Sequence, residues 1–335
     1  MPSCSASLTL SSRTPQGLGA SSAAPWLSLV IPSYRGEKWI ETALDSVAAQ
    51  SPEGIEVLLV DGGPTSAAVD IARTYCSRLR LRIFERNDLD SWHTKTNFAV
   101  QMAEAEHICW LGVDDVWLPE RAAAVRGWIE ESPQVPLHLS SCVLIDRDGN
   151  VLGCWRCPLP YGRELSSPLV CQRLLVQNFI AAPTAVFRRD AWLRCGGLDE
   201  QLWYTADWDI WLKLAGTGPV IYHNAATVGF RIHGASLTVT GSRDSADFKR
   251  QMEIVLERHL VRAVDDVRSI ERSARTSIEV NVAAAAAAAG DWRGLPHAAW
   301  EVCKLGPLGV GRYLRDSRIW ERTLPRVRAK LSGSF

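Results

Sequence analysis

The chain has 335 residues, 47% of them hydrophobic, and its 37 basic and 37 acidic side chains cancel to a formal net charge of zero. Such a chain buries a substantial core and accommodates one large domain with an appendage, while the neutral balance gives no overall electrostatic footprint for nucleic acid or another polyanion. No apolar stretch approaches the ~20 residues that span a bilayer.

Residues 1–25 are rich in Ser and Ala and contain no acids. They lack the basic start and continuous apolar core of a secretory signal and read as a disordered leader. Trp26 to Pro32 is a short, partly β-branched apolar run stopped by proline, the mark of a buried parallel strand. A helix follows over 37–50, where Trp39, Ile40, Ala43, Leu44 and Val47 recur at helical spacing. Ile55 to Val60 is a second strand running into Asp61-Gly62-Gly63. The pattern then predicts a helix over 66–78, a strand over 79–84, a helix over 94–104 and a strand over 107–111. Strands alternating with amphipathic helices at this pace indicate βαβ units and a parallel sheet.

The strand at 107–111 empties into Gly112-Val113-Asp114-Asp115. Adjacent carboxylates at a strand end repel each other and lose hydration, so the pair calls for a divalent cation with oxygen ligands or for a fixed Lys or Arg. Ligands of parallel sheets bind beyond the carboxyl ends of the strands, where Pro32 to Tyr34, Asp61 and the acid pair should converge. The glycine fingerprint of dinucleotide-binding folds is absent after the first strand, and so is a Walker loop.

Farther on, short strands are expected from about 137 to 157, with Asp146 to Asn150 as a hairpin turn. A strand over Ala181 to Phe187, a short helix over Asp190 to Cys195 ended by Gly196-Gly197, and a helix over Asp207 to Ala215 come next. The last strands are expected at 220–222 and 228–232, and everything beyond 243 has a helical pattern. The alanine run from Ala283 to Ala289, closed by Gly290, suggests a tightly paired α-hairpin. Nine cysteines, odd in number and partly within apolar runs, fit a reducing compartment. Cys154 and Cys157 form a lone CxxC without a second pair at zinc-ribbon spacing, so packing is expected of them.

Six segments carry a family likeness: Val30-Ile31-Pro32-Ser33-Tyr34, Leu59-Val60-Asp61-Gly62-Gly63, Asp114-Asp115-Val116-Trp117, Gly196-Gly197-Leu198-Asp199-Glu200, Ala206-Asp207-Trp208-Asp209 and Phe230-Arg231-Ile232-His233. In this order the chain resembles the family 2 glycosyltransferases over roughly residues 26–235. The resemblance implies a GT-A fold over 26–240, α/β with a parallel-rich sheet flanked by helices, followed by a helical extension over 241–335. It also implies inverting transfer of a sugar from a nucleotide-sugar donor to a hydroxyl of a glycan or lipid-linked acceptor.

Carried over residue by residue, the resemblance places Pro32 and Tyr34 at the nucleobase and makes Asp61 the acceptor for a base imide N–H, which favours a uridine-linked donor. Lys95 and Asn97 fall beside the donor. Asp114 and Asp115 would hold Mg²⁺ or Mn²⁺ on the diphosphate, with Asp114 also bonding the ribose, and His233 would approach the metal or the diphosphate. Asp207 matches the general base; Asp209 is the second choice, since two positions apart on a helix is roughly 200° and both cannot face one cleft. Trp203 and Tyr204 are the acceptor-side aromatics. Gly112 and Ala206 each stand where the family usually has an acid. Plainer roles exist for the same residues: Pro32 ending a strand, Asp61 forming a turn, the acid pair capping or charge-pairing, Asp207 capping its helix behind Thr205, Lys95 solvated, and His233 a satisfied surface or core group.

Residues 312–331 interleave arginines with Tyr313, Leu314, Ile319, Trp320, Leu324 and Val327. That segment suits peripheral contact with an anionic membrane surface, consistent with a cytoplasmic protein at the inner membrane face; the alternative is a helix packed on the catalytic domain. Two rival functions remain. Gly112 and Ala206 favour a non-catalytic binding protein on the same fold. A sugar-phosphate nucleotidyltransferase would want a glycine- and basic-rich loop where Ser33-Tyr34-Arg35-Gly36-Glu37 stands.

Overall fold

Strand β1 (Leu27–Ser33) is buried along almost its whole length and β2 (Ile55–Asp61) along all of it, as strands covered by helices on both faces must be. The structure, a computed structural model, describes residues 24–234, 244–260 and 267–331. Helix α1 (Ile40–Ala48) buries Ile40, Ala43, Leu44 and Val47, one stripe at i, i+3, i+4 and i+7. Then follow α2 (Ala67–Arg73), β3 (Arg80–Glu85), α3 (Trp92–Met102) and β4 (His107–Trp110). β1 pairs in parallel with β2 and with β4, and β2 with β3. The register sets Ser33 beside Asp61 and Trp110 beside Val30, so three chains leave the sheet at one edge.

The other half of the sheet is mixed. It is built from β5 (Val116–Trp117), α4 (Arg121–Glu131), β6 (Leu137–Ile145), β7 (Val151–Trp155), β8 (Glu164–Leu165), α5 (Ser167–Val176), β9 (Val186–Arg188), α6 (Arg189–Arg194), α7 (Ala206–Ala215) and β10 (Val220–Arg231). Among the described residues the strands form one sheet in the order β3-β2-β1-β4-β9-β6-β10-β5, with β7 on β6 and β8 on β10. The parallel-rich α/β architecture expected from the sequence is present. The β6–β7 hairpin turns where predicted: Asp146 Oδ1 accepts from the N–H groups of Asp148 and Asn150, and Gly149 takes a left-handed φ of 93°.

Three local expectations are corrected. Ala181 to Phe187 is not one strand, because a 3₁₀ turn (Ala182–Thr184) precedes β9. Pro183 has no N–H to give a ladder, and the Thr184 hydroxyl donates to the Ala181 carbonyl at 2.7 Å. The strands expected at 220–222 and 228–232 are the single strand β10, whose register against β6 slips between His223 and Val228. Helix α2 stops at Arg73 and gives way to single turns as far as Leu79, one of them capped by Thr74 Oγ1 on the Ile71 carbonyl. Helices α4 and α5 lay outside the predicted elements; α4 buries only Arg121, Ala122 and Val125, too few apolar positions to show a period.

Beyond the sheet come α8 (Ser245–Leu260), α9 (Val267–Ala288), α10 (Leu295–Cys303), α11 (Gly306–Ser317) and α12 (Ile319–Leu331). α9 packs against α5, α8 and α10. Its alanine end turns at Gly290, with φ 98°, and a Cβ built on Gly294 would meet Ala283 at ordinary contact distance, so the expected α-hairpin forms. α12 returns to the sheet. Its Pro325 fits against Gly153 of β7, and Ala329 is fully buried in a cluster with Cys142, Leu144, Leu152, Ala181, Val228 and Ile232. Among the described residues no helix is long and apolar enough to cross a membrane. Residues 1–23 of the expected leader, and the junction at 240–241, lie outside the described residues.

Candidate active site

The acid pair sits just past β4, where the Leu111 N–H still donates to the Val30 carbonyl at 3.0 Å. Asp115 is buried, and its Oδ1 accepts from the Arg231 main-chain N–H at 2.8 Å. Burial, and after it the charge of Asp114, push the Asp115 carboxyl well above the usual carboxylate range. The fixed cation is Arg231 at the end of β10. Its Nε donates to the Asp114 carbonyl at 2.7 Å, its Nη1 to the carbonyls of Asp146 and Arg147, and its guanidinium lies 4.5 Å from the centre of the Trp39 ring. Burial lowers the Arg231 pKa while the carboxylates around it, Asp115 first, oppose that fall.

Two residues on along the chain, His233 Nε2 lies 2.9 Å from Asp114 Oδ2, with its ring against Trp39. Arg231 and His233 therefore share one side of the extended chain, at the spacing of alternate strand residues. The sequence reading missed Arg231, although that period was available in Phe230-Arg231-Ile232-His233. Gly112 has a steric reason as well: a Cβ there would come within 2.6 Å of Asp115 Oδ2 and 2.8 Å of Asp114 Oδ1. The two carboxylates already fill the space that a third acid would enter.

The edge of β1 and β2 builds a second corner. Asp61 is buried; its Oδ2 accepts from the Gly63 N–H at 3.0 Å, the turn-forming role, while its Oδ1 is buried without a hydrogen-bond partner among the described residues. Lys95 is 1% exposed and lies over the turn, since a Cβ on Gly62 would meet its Nζ at 2.8 Å. Burial lowers the Lys95 pKa and the charges of Asp61 and Asp90 act against it. The ammonium is 5.2 Å from the centre of the Tyr34 ring, which is 55% exposed next to half-buried Pro32. Tyr34, Asp61 and Lys95 thus come together. Asn97 turns elsewhere: its Nδ2 donates to the Leu198 carbonyl and to Glu200 Oε1, and its Oδ1 accepts from the Leu198 N–H, which ties α3 to the Gly196-Gly197 turn.

Asp207 and Asp209 open α7 and have opposite surroundings. Asp209 is fully buried and meets Lys213 at 2.7 Å, His259 at 2.8 Å and Arg258 at 2.9 Å. Burial alone would raise it, but these partners outweigh burial and hold it at about 2. It fastens α8 to α7. Asp207 is half-buried, with Oδ2 accepting from Asn178 Nδ2 at 3.0 Å and Oδ1 from the Trp208 N–H at 2.7 Å. No cation pairs with it among the described residues, and burial pushes it up to about 6. Asn178, in the loop after α5, was not foreseen. Trp203 and Tyr204 are half-buried; Trp203 Nε1 donates to Asp247, and Tyr204 packs edge-on to Phe248, so α8 shapes both aromatics.

A divalent cation bound through one or two side chains and substrate phosphates fits the acid-pair corner, where Asp114 and His233 offer an oxygen and a nitrogen. Among the described residues no group of three His, Cys, Asp or Glu side chains stands ready as a complete cage. A concavity of about 500 Å³ is lined by Trp26, Ser46, Gln50, Trp117 and Arg126. Trp26 precedes β1, so this hollow lies toward the opposite end of the strands and none of the candidate residues lines it.

The sheet order, the acid pair past β4 and the carboxylate at the start of α7 define a GT-A glycosyltransferase architecture. Residues 28–138 match the family described as Glycosyl transferase family 2. The uncharacterized glycosyltransferase RP339 of Rickettsia prowazekii is 23% identical over 227 residues, 68% of this chain and 70% of that protein. Chondroitin synthase of Escherichia coli is 23% identical over 217 residues, 64% of this chain and 30% of the synthase. Among solved structures, S. aureus TarS 1–349 in complex with UDP-GlcNAc is similar with a TM-score of 0.59 at 17% identity, covering 77% of this chain and 72% of that one. Mannosyltransferase PcManGT from Pyrobaculum calidifontis, in complex with GDP-Man and Mn²⁺, gives a TM-score of 0.50 at 19% identity over 94% and 90% of the two chains.

Asp209→Ala leaves Lys213, Arg258 and His259 without their shared carboxylate, so a stability loss of about 3–5 kcal/mol is expected in urea unfolding. The sign with pH follows from the depressed pKa. The contribution of Asp209 is complete above its unfolded value of about 3.9 and is lost as pH falls toward the folded value of about 2. A loss below about 1 kcal/mol would contradict this anchoring role.

Proposed function

We propose that this protein transfers a hexosyl group, with inversion, from a uridine-linked nucleotide-sugar to a hydroxyl of a glycan or lipid-linked acceptor. The observation that carries the reading is Asp207: a carboxylate raised to about 6 by burial, held by Asn178, and free of any cationic partner among the described residues. A base with a pKa near the working pH is what general-base catalysis wants. TarS is a neighbour crystallised with UDP-GlcNAc, and chondroitin synthase is a relative by sequence, both in keeping with a uridine-linked donor and a saccharide product.

In this reading the buried Asp61 Oδ1 accepts the imide N–H of the base, and Tyr34 and Pro32 flank the ring. Lys95 faces the phosphates from above the Gly62 turn. Asp114 and His233 would hold Mn²⁺ or Mg²⁺, which would supply charge neutralisation at the diphosphate; PcManGT was crystallised with Mn²⁺. Asp115 and Arg231 fix the position of Asp114. The acceptor oxygen, placed along Trp203 and Tyr204, attacks the anomeric carbon and gives its proton to Asp207. The anomeric carbon to phosphate-oxygen bond breaks and its electron pair leaves on the diphosphate. Asp209 takes no part, being committed to α8.

We also infer peripheral attachment to the inner membrane face through α12, as part of a catalytic domain over 26–240 and a helical extension over 241–335. Trp320, Leu324 and Val327 form an exposed apolar stripe, with Arg328 and Lys330 exposed beside it. Apolar residues flanked by basic ones suit an anionic bilayer surface.

Asp207→Asn is expected to lower kcat by about 10²–10⁴-fold with nucleotide affinity unchanged. Because the base acts deprotonated, kcat/KM of the wild type should rise with pH through about 6 and level off above it, and the variant should lose this limb. Full transfer by Asp207→Asn would remove Asp207 from the role. For the membrane, the triple change Trp320→Ser, Leu324→Ser and Val327→Ser should abolish co-sedimentation with vesicles containing phosphatidylserine. Equal binding by the triple variant would refute the α12 contact.

A further inference from the structure

Helix α12 turns two arginines toward the protein and its apolar stripe away from it. Arg322 and Arg326 are one turn apart, on the face that brings Pro325 and Ala329 against β7. Arg322 Nη2 donates to Asn281 Oδ1 at 3.0 Å, and Asn281 Nδ2 donates to Gln177 Oε1 at 2.9 Å. The residue after Gln177 is Asn178, which holds Asp207. Arg326 Nη1 donates to the main-chain carbonyl of Arg322.

Electrostatics place the pair from a second direction. The Tyr204 hydroxyl feels Arg326, Asp207 and Arg322, and the Cys142 thiol on β6 feels both Asp115 and Arg326. Both arginines are thus within electrostatic reach of Tyr204, and Arg326 also of Cys142 on β6. Among the described residues the hydrogen-bond partners of both guanidinium groups are an amide and a main-chain carbonyl, and no carboxylate pairs with either. Burial, and then the neighbouring charge of Arg326, bring Arg322 down to about 10; burial lowers Arg326 too. Two half-buried like charges without a counter-ion are costly to keep. Guanidinium forks match the oxygens of a phosphate with two parallel hydrogen bonds each, and a phosphate dianion balances two cations where a carboxylate balances one.

We propose that Arg322 and Arg326 form a phosphate-binding site that the C-terminal helix contributes to the candidate cleft. The site deepens the sugar-transfer reading and rests on it only for the source of the phosphate, which is either the diphosphate of the donor or a phosphate borne by the acceptor.

The test uses the full chain and inorganic phosphate as the probe, with chloride at matched ionic strength as the control. Wild type should gain thermal stability with phosphate. Arg322→Gln and Arg326→Gln should lose that gain, while their midpoints without phosphate stay at or above the wild-type value because the repulsion is relieved. Arg322→Lys with Arg326→Lys, which keeps the charge and loses the fork, should bind phosphate about tenfold more weakly. Titrations with UDP and uridine then separate the sources. If the donor diphosphate fills the site, the Gln variants bind UDP about tenfold more weakly and uridine unchanged; if an acceptor phosphate fills it, UDP binding is unchanged while the phosphate response is lost. A wild-type midpoint that phosphate leaves unmoved, or an equal rise in wild type and both Gln variants, would overturn the proposal. Failure of UDP to bind the wild type would instead count against the sugar-transfer reading and leave the phosphate result standing.

Discussion

Two carboxylates follow β4 in adjacent positions, one of them buried, and the chain tolerates them because β10 brings Arg231 beneath them. That arginine donates to the Asp114 carbonyl and to the turn of the β6–β7 hairpin, and its own N–H is taken by Asp115. It therefore fastens the acid pair, the hairpin and the last strand to one another. A buried cation that satisfies main-chain carbonyls, and shares its field with two acids, specifies position more than it adds stability. His233 and Asp114 are left in the outer layer, where a ligand can reach them, and the rigidity behind them is what a charge-stabilising site requires.

The same division between a committed inner group and an available outer one recurs at α7. Asp209 is neutralised by three partners and locks α8 to the sheet domain; Asp207, two residues earlier, keeps a raised pKa and two modest hydrogen bonds. Pairs of titratable groups whose surroundings drive their pKa values apart mark acid and base assignments. The C-terminal helices belong to this arrangement. α8 supplies the cations that quieten Asp209 and shapes Trp203 and Tyr204, α9 carries Asn281, and α12 reaches back to β7 with Arg322 and Arg326 on its inner face.

Much of this was legible in the sequence, for physical reasons. β1, β2 and β4 are buried on both faces, so they appear as continuous apolar runs, and the polar residues that interrupt them, Asp61 and the acid pair, fall where ligands bind. What could not be read depends on contacts far apart in the chain. The choice between Asp207 and Asp209 is made by Arg258 and His259, about fifty positions on. The basic segment at 312–331 reads either as a membrane-facing surface or as a helix packed on the catalytic domain, with nothing to say which arginines face inward; Pro325 and Ala329 are small enough to fit against Gly153 and the cluster beneath it, and that fit turns Arg322 and Arg326 inward. Asn97 shows the reverse case, a residue next to Lys95 in sequence whose amide serves the Gly196-Gly197 turn.

The central claim is that the edge formed by β1, β2 and β4 binds a uridine-linked nucleotide with help from the acid pair. Calorimetric titration of UDP against GDP, with Mn²⁺ or with EDTA, on wild type and Asp114→Ala, tests it most directly. The account predicts UDP binding strengthened by Mn²⁺, weaker binding of GDP, and loss of the metal dependence in the variant. Absence of binding by either nucleotide, or metal dependence that survives Asp114→Ala, would contradict it.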